Sequence, residues 1–240
     1  MFEVCIMTDT LPLASSEWIV AWRRAWEQAI EKLGSFKLRE ERERAMPFRR
    51  PTREEHAQMG KTIREASVLW LLFPDAERNW RGTLMLRTQD EGVHGGQISI
   101  PGGEKEPSDA CDLATALREF QEEMGVHVAE GDVIGRLQSL YIPPSQFVVE
   151  PFVAVCDQVP EFVPDALEVA EVLCPPLDEL CDDSALVERL IEVSPGLTRP
   201  MPCFEVDGHR VWGATALMLT EFGAIWREIQ RNDLIQTIWE

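Results

Sequence analysis

Across 240 residues there is one tyrosine, and basic residues are scarce: 23 Lys and Arg stand against 42 Asp and Glu, a formal net charge of -19. Such a surface repels phosphate backbones and anionic membranes, so nucleic acid is not an expected partner. Nowhere does the chain carry the run of about eighteen apolar residues that a membrane span needs, so no membrane partner is expected either. The cysteines at 5, 111, 156, 174, 181 and 203 include no CxxC pair and no histidine at zinc spacing. That excludes a zinc ribbon or a disulfide framework and leaves buried thiols as the expectation. Met1 to Pro12 lacks a basic segment followed by a long apolar one, so a cytoplasmic location is expected.

What is present is a well-supplied core, 45% hydrophobic, with strand and helix patterns interleaved. Ser15 or Ser16 can cap a helix running to about Leu33, stopped by Gly34. Trp18, Trp22 and Trp26 form a stripe along it, fit to pack on the main body or on a partner subunit; the second option makes a homodimer one expectation. Arg39 to Arg50 is charged and ends at Pro51, which reads as a connection. Residues 1–50 are therefore expected to be an N-terminal helical extension and residues 51–240 the main domain. Strands are expected over Ser67–Phe73, Thr83–Thr88, Val133–Tyr141, Phe147–Val155 and Val169–Leu173, and around the turn Asp207-Gly208, with helices from Leu113 to Met124 and from Ala214 onward. The irregular alternation predicts an α/β (α+β) fold, a mixed sheet sandwiched between helices.

In the helix from Leu113, the residues Leu113, Leu117, Phe120 and Met124 build an apolar face. Glu119, Glu122 and Glu123, at i, i+3 and i+4, bring carboxylates together within one turn, where like charges repel unless cations intervene. Hard oxygen ligands in that arrangement suit Mg²⁺ or Mn²⁺ on substrate phosphates; a solvated acidic face is the plainer alternative. Context decides between them. Upstream, Pro101-Gly102-Gly103 allows the backbone to approach a ligand, and downstream Gly125 can end the helix.

Taken together, GGEKEPSDACDLATALREFQEEMGV resembles the Nudix box: glycine, five residues, glutamate, seven residues, Arg-Glu, an apolar residue, any residue, Glu-Glu, any residue, glycine, apolar. There are two departures: Asp109 stands at the first glutamate, and eight residues separate it from Arg118. The resemblance implies a Nudix fold and hydrolysis of a diphosphate linkage in a small nucleotide derivative. It also implies residue roles. Glu122 and Glu123 are metal ligands, Glu119 is a further ligand or the base that orients water, Arg118 holds Glu119, and the Gly103 carbonyl completes the metal shell.

Ahead of the box, LMLRTQDEGVHGGQISIPGG resembles the segment that marks coenzyme A diphosphatases, and similarity to their bacterial branch extends over roughly residues 64 to 222. Arg87, Thr88, Gly96 and Ile100-Pro101-Gly102-Gly103 fall at the corresponding places, but Met85 stands for a threonine of the pattern, Gly92 for an arginine and Ile100 for a phenylalanine. This implies coenzyme A as substrate, with ADP-ribose or a dinucleotide as the alternative and a non-catalytic nucleotide sensor as a further one. Expected substrate contacts are Arg87, His94, Gly96 and Lys105, with Arg49, Arg50 and Arg64 as further cations. Glu168 and Glu171 are candidates for an acid from outside the box, and Tyr141 and Pro143 lie near a substrate-marking position.

Overall fold

The apolar run SVLWLLF becomes the middle of strand β1 (Arg64–Pro74), whose first two residues are exposed and whose remaining nine are buried. A strand apolar on both faces must be covered on both, and here it is central. The computed structural model describes residues 17–46, 49, 51–60, 62–89, 95–194 and 196–231. β1 pairs in parallel with β8 (Phe147–Val155), and antiparallel with β2 (Trp80–Gly82) and β5 (Gly102–Glu104). β6 (Val133–Arg136) and β7 (Leu140–Ile142) run antiparallel to β8 and complete a mixed sheet. A second sheet has the order β4 (Ile98–Ser99), β3 (Leu84–Arg87), β9 (Val169–Leu173), and a third the order β10 (Val187–Ser194), β11 (Leu197–Val206), β12 (His209–Trp212).

Alternation along β1 assigns its two faces. Leu69 and Leu71 pack with Ala116, Phe120 and Met124 of helix α3 (Asp112–Met124), which lies after α1 (Glu17–Glu43) and α2 (Arg53–Gln58) in the chain. Val68, Trp70 and Leu72 face the opposite way, into a cluster shared with α1 and with the C-terminal helix α5 (Gly213–Arg231), which follows the short α4 (Leu177–Leu180). The sheet is thus sandwiched between α3 and the α1/α5 pair, as expected.

The tryptophan stripe lies inside this second layer. Trp22 stacks on Trp226 with ring centroids 6.1 Å apart, Trp26 meets Phe222 at 6.1 Å, and Trp18 stacks on Trp80 at 6.2 Å. Packing on the main body is the outcome: Trp22 and Trp26 are buried there and Trp18 is half-buried against it. Arg23 ties the same helix to the sheet, donating to the carbonyls of Val133 (2.9 Å) and Gly131 (2.6 Å).

Two expectations change in this region. Gly34 does break the helix, with φ 68° and ψ 157°, but α1 resumes and runs to Glu43 through the stretch read as a connection. Buried Leu38 anchors it, and ion pairs from Lys37 (3.0 Å) and Arg44 (2.9 Å) to Glu41 support it. Strand β10 was not expected at all, since VERLIEVS is charged and mostly exposed; its pairing with β11 holds it extended. Ser15, Ser16, Cys5 and Arg50 lie outside the described residues. Among those described, no helix is long and apolar enough to cross a membrane.

Candidate active site

Helix α3 ends at Gly125 in the left-handed region, and its last turns carry the three glutamates under the β5 backbone. They occupy three different environments. Glu122 is 57% exposed, Glu119 is 16% exposed, and Glu123 is 1% exposed. Glu123 accepts from the Gly102 backbone N–H (2.7 Å, Oε2) and pairs with Arg87 (3.2 Å, Oε1). Burial pushes its carboxyl up to about 8 against these two partners, with the neighbouring charges of Glu119 and Glu168 adding to the rise. Glu119 is also raised by burial, opposed by Arg118.

Arg118 organises this face. Its Nη1 donates to Glu119 and Glu122, each at 2.9 Å, while Nη2 reaches the Glu104 carbonyl at 3.1 Å. Nε and Nη2 fork onto Asp109 at 3.0 and 2.9 Å. Asp109 also accepts from the Thr115 hydroxyl (3.0 Å) and the Glu106 backbone N–H (2.9 Å). The Arg118 guanidinium holds the Asp109 carboxyl far below the usual carboxylate range. The residue that departs from the box pattern therefore serves as the anchor of Arg118, and the longer loop ahead of α3 gives it the reach.

Two glycines set how closely backbone and carboxylates meet. Gly102 has φ 148°, and a Cβ there would strike the Ser67 carbonyl and Val68; a Cβ on Gly103 would strike the Glu119 carboxylate itself. The Gly103 backbone and the Glu119 side chain are in contact as a result. Among the described residues, no group of three His, Cys, Asp or Glu side chains is closed into a finished metal shell. The donor chemistry nonetheless fits a divalent cation: Glu119 and Glu123 are drawn into a low-dielectric site that raises both, with Glu168 adding charge, and Arg87 and Arg118 offset only part of it.

Beside this face opens a cavity of about 720 Å³. Arg87, Gly102, Gly103 and Glu104 form its near wall, and Val193, Met201, Trp212, Ala214 and Met218, from the third sheet and α5, form an apolar far wall. Arg64, Phe147, Pro51 and the Pro143-Pro144 turn lie along it as well. The expected contacts divide accordingly. Arg87 is on the wall; Lys105 is outside the lining, paired with Asp112 at 2.8 Å and Glu65 at 3.8 Å. Gly96 turns the loop at φ 71°, its N–H donating to the Thr88 carbonyl, while Gly95 and Gln97 reach the cavity. His94 and Gly92 lie outside the described residues. Arg49 pairs with Glu55 away from the cavity. Glu168 approaches Arg87 (3.8 Å) and acts on Glu119 and Glu123, whereas Glu171 faces His209 (3.3 Å). Tyr141 is bonded to buried His56 and is not part of the lining.

A family model described as NUDIX domain matches residues 62–194. The chain belongs to the Nudix family. Mitochondrial coenzyme A diphosphatase NUDT8 of Homo sapiens is 36% identical over 132 residues, covering 55% of this chain and 56% of that protein. Peroxisomal coenzyme A diphosphatase NUDT7 of Mus musculus is 37% identical over 110 residues, 46% of each chain. The Nudix protein thus spans about half the length of these two relatives. Nudix hydrolase NudL of Citrobacter koseri is 34% identical over 161 residues, 64% of this chain and 73% of that one. A solved MutT/nudix family protein from Enterococcus faecalis covers 80% of this chain and 74% of its own at 15% identity, with a TM-score of 0.48.

The sequence did not flag Phe147 or the far wall formed by Met201 and Met218. Their only signal was that they fall within the roughly 64 to 222 stretch over which the chain resembles coenzyme A diphosphatases.

Proposed function

We propose that this Nudix protein is a metal-dependent hydrolase that cleaves the diphosphate of coenzyme A, or of a coenzyme A derivative, to 4′-phosphopantetheine and adenosine 3′,5′-bisphosphate. The observation that carries the reading is the cavity, whose near wall is the glycine strand over Glu119 and Glu123 and whose far wall is apolar. A diphosphate at the near wall leaves room for a long, mostly uncharged arm along the far one. The two relatives named coenzyme A diphosphatases support the substrate class.

Glu119, Glu122, Glu123 and the Gly103 carbonyl would hold Mg²⁺ or Mn²⁺. When bound, such ions neutralise the diphosphate and lower the pKa of a bound water. The chain's own residues do the positioning. Asp109 fixes Arg118, and Arg118 in turn fixes the Glu119 and Glu122 carboxylates. Arg87 offsets the buried charge of Glu123. Glu168, or Glu119 where it is not itself a metal ligand, takes the proton from water as it attacks phosphorus, the P–O bond to the leaving phosphate breaking as the new one forms.

Purified protein is incubated with Mg²⁺ or Mn²⁺ and, separately, with coenzyme A, ADP-ribose and NADH, and products are identified by mass, with Glu123→Gln alongside. The expected result is 4′-phosphopantetheine from active protein only, coenzyme A being the best substrate. Preferred cleavage of ADP-ribose or NADH overturns the substrate; nucleotide binding without cleavage overturns the hydrolase.

A further inference from the structure

The cavity holds a second cation in a setting unlike that of Arg87. Arg64 is the first residue of β1, Phe147 is its register partner in β8, and the Arg64 guanidinium lies over the Phe147 ring, 4.2 Å from its centroid. Sheet pairing thus sets the plane of the guanidinium before any ligand arrives. Its fork is turned onto Glu104, through Nε at 2.7 Å and through Nη2. Both partners are exposed, 47% for Arg64 and 46% for Glu104. An exposed pair of this kind contributes little and exchanges readily for a ligand of higher charge. None of the ion pairs made by Arg64 involves Glu119, Glu122 or Glu123, whose arginine partners are Arg118 and Arg87.

We propose that Arg64, stacked on Phe147, is the specificity-determining residue for a phosphate monoester on the nucleoside half of the substrate, the 3′-phosphate of coenzyme A, which takes the place of Glu104 on the guanidinium. The inference rests on the coenzyme A reading above and explains how a chain with Gly92, at the place of an arginine in the pattern that it resembles, and with a net charge of -19 recognises a third phosphate. A planar fork suits phosphate bidentately, and Arg64 and Glu104 both line the cavity while remaining about half exposed. Once displaced, Glu104 remains at the surface and is hydrated.

The test compares coenzyme A with dephospho-coenzyme A, which keeps the diphosphate and lacks the 3′-phosphate. In Arg64→Met, which retains an apolar stack on Phe147, the ratio of kcat/KM for coenzyme A to that for dephospho-coenzyme A is expected to fall about tenfold or more, the effect of removing one charge-assisted pair. The fall should reside in KM. Glu104→Gln, which removes the competing carboxylate, is expected to move the ratio the other way, by about twofold to fivefold. An unchanged ratio in both variants overturns the proposal while leaving the coenzyme A reading intact, because wild-type protein still cleaves both compounds. If wild-type protein cleaves neither and prefers ADP-ribose, the coenzyme A reading fails and takes the proposal with it.

Discussion

Glu123→Gln separates the cost of burying a carboxylate from its use. In the metal-free protein Glu123 is 1% exposed, and its carboxyl is displaced from an ordinary 4.5 up to about 8. Between those values the folded protein keeps a proton that the unfolded chain has lost. The contribution to stability is therefore full below about pH 4.5, declines as pH rises, and levels off above about pH 8. At about 1.4 kcal/mol per pH unit, the decline is on the order of 3–5 kcal/mol. For a chain of this size that corresponds to roughly 6–20 °C in Tm. Glutamine keeps the shape and can still accept from the Gly102 N–H, but does not titrate. Thermal melts in EDTA from pH 5 to 8.5 should show wild-type Tm falling with pH and the variant nearly flat, so that at pH 8.5 the inactive protein is the more stable one. Mg²⁺ should restore wild-type Tm at high pH and do little for the variant, while turnover in the variant drops roughly a hundredfold or more. Parallel pH slopes, or a variant less stable throughout, would refute the argument.

Three further outcomes follow from the same contacts. Asp109→Asn removes the charged anchor of Arg118: turnover should fall roughly tenfold to a hundredfold, as for other partners that orient a site residue. Because the Asp109 carboxyl is depressed in the folded state, its stabilisation is present above about pH 4 and lost as pH falls, so the variant's acid unfolding curve should be shallower below pH 4. Trp22→Ala, at a fully buried position between α1 and α5, should cost about 3–5 kcal/mol in urea unfolding with KM unchanged while the protein is folded. Val193→Trp, which fills the far wall of the cavity, should raise KM for coenzyme A roughly tenfold or more in steady-state assays, with a smaller change for ADP-ribose.

The strands and helices with one strong period were legible in the chain itself. SVLWLLF read as a strand from its length and its strand formers, and Leu113, Leu117, Phe120 and Met124 read as the inner face of a helix from their spacing; both are so in the fold. The glutamate cluster and its glycine strand were legible for a related reason: the chemistry requires those residue types at fixed local spacing, and one helix and one loop supply them. The register of β10 on β11 was not, since exposed charged strands carry no burial pattern and this one is held extended by pairing with its neighbour.

What sequence determined by itself was the box, the fold class and the acidic surface, all properties of neighbouring residues or of composition. Tertiary structure decided which of three adjacent glutamates is buried, that Asp109 reaches Arg118, that the tryptophan stripe faces inward, and that Arg87 and Arg64 share a cavity while Lys105 does not. Each of these depends on how elements far apart in the chain pack together, and a side chain's dielectric surroundings and partners exist only once that packing is complete.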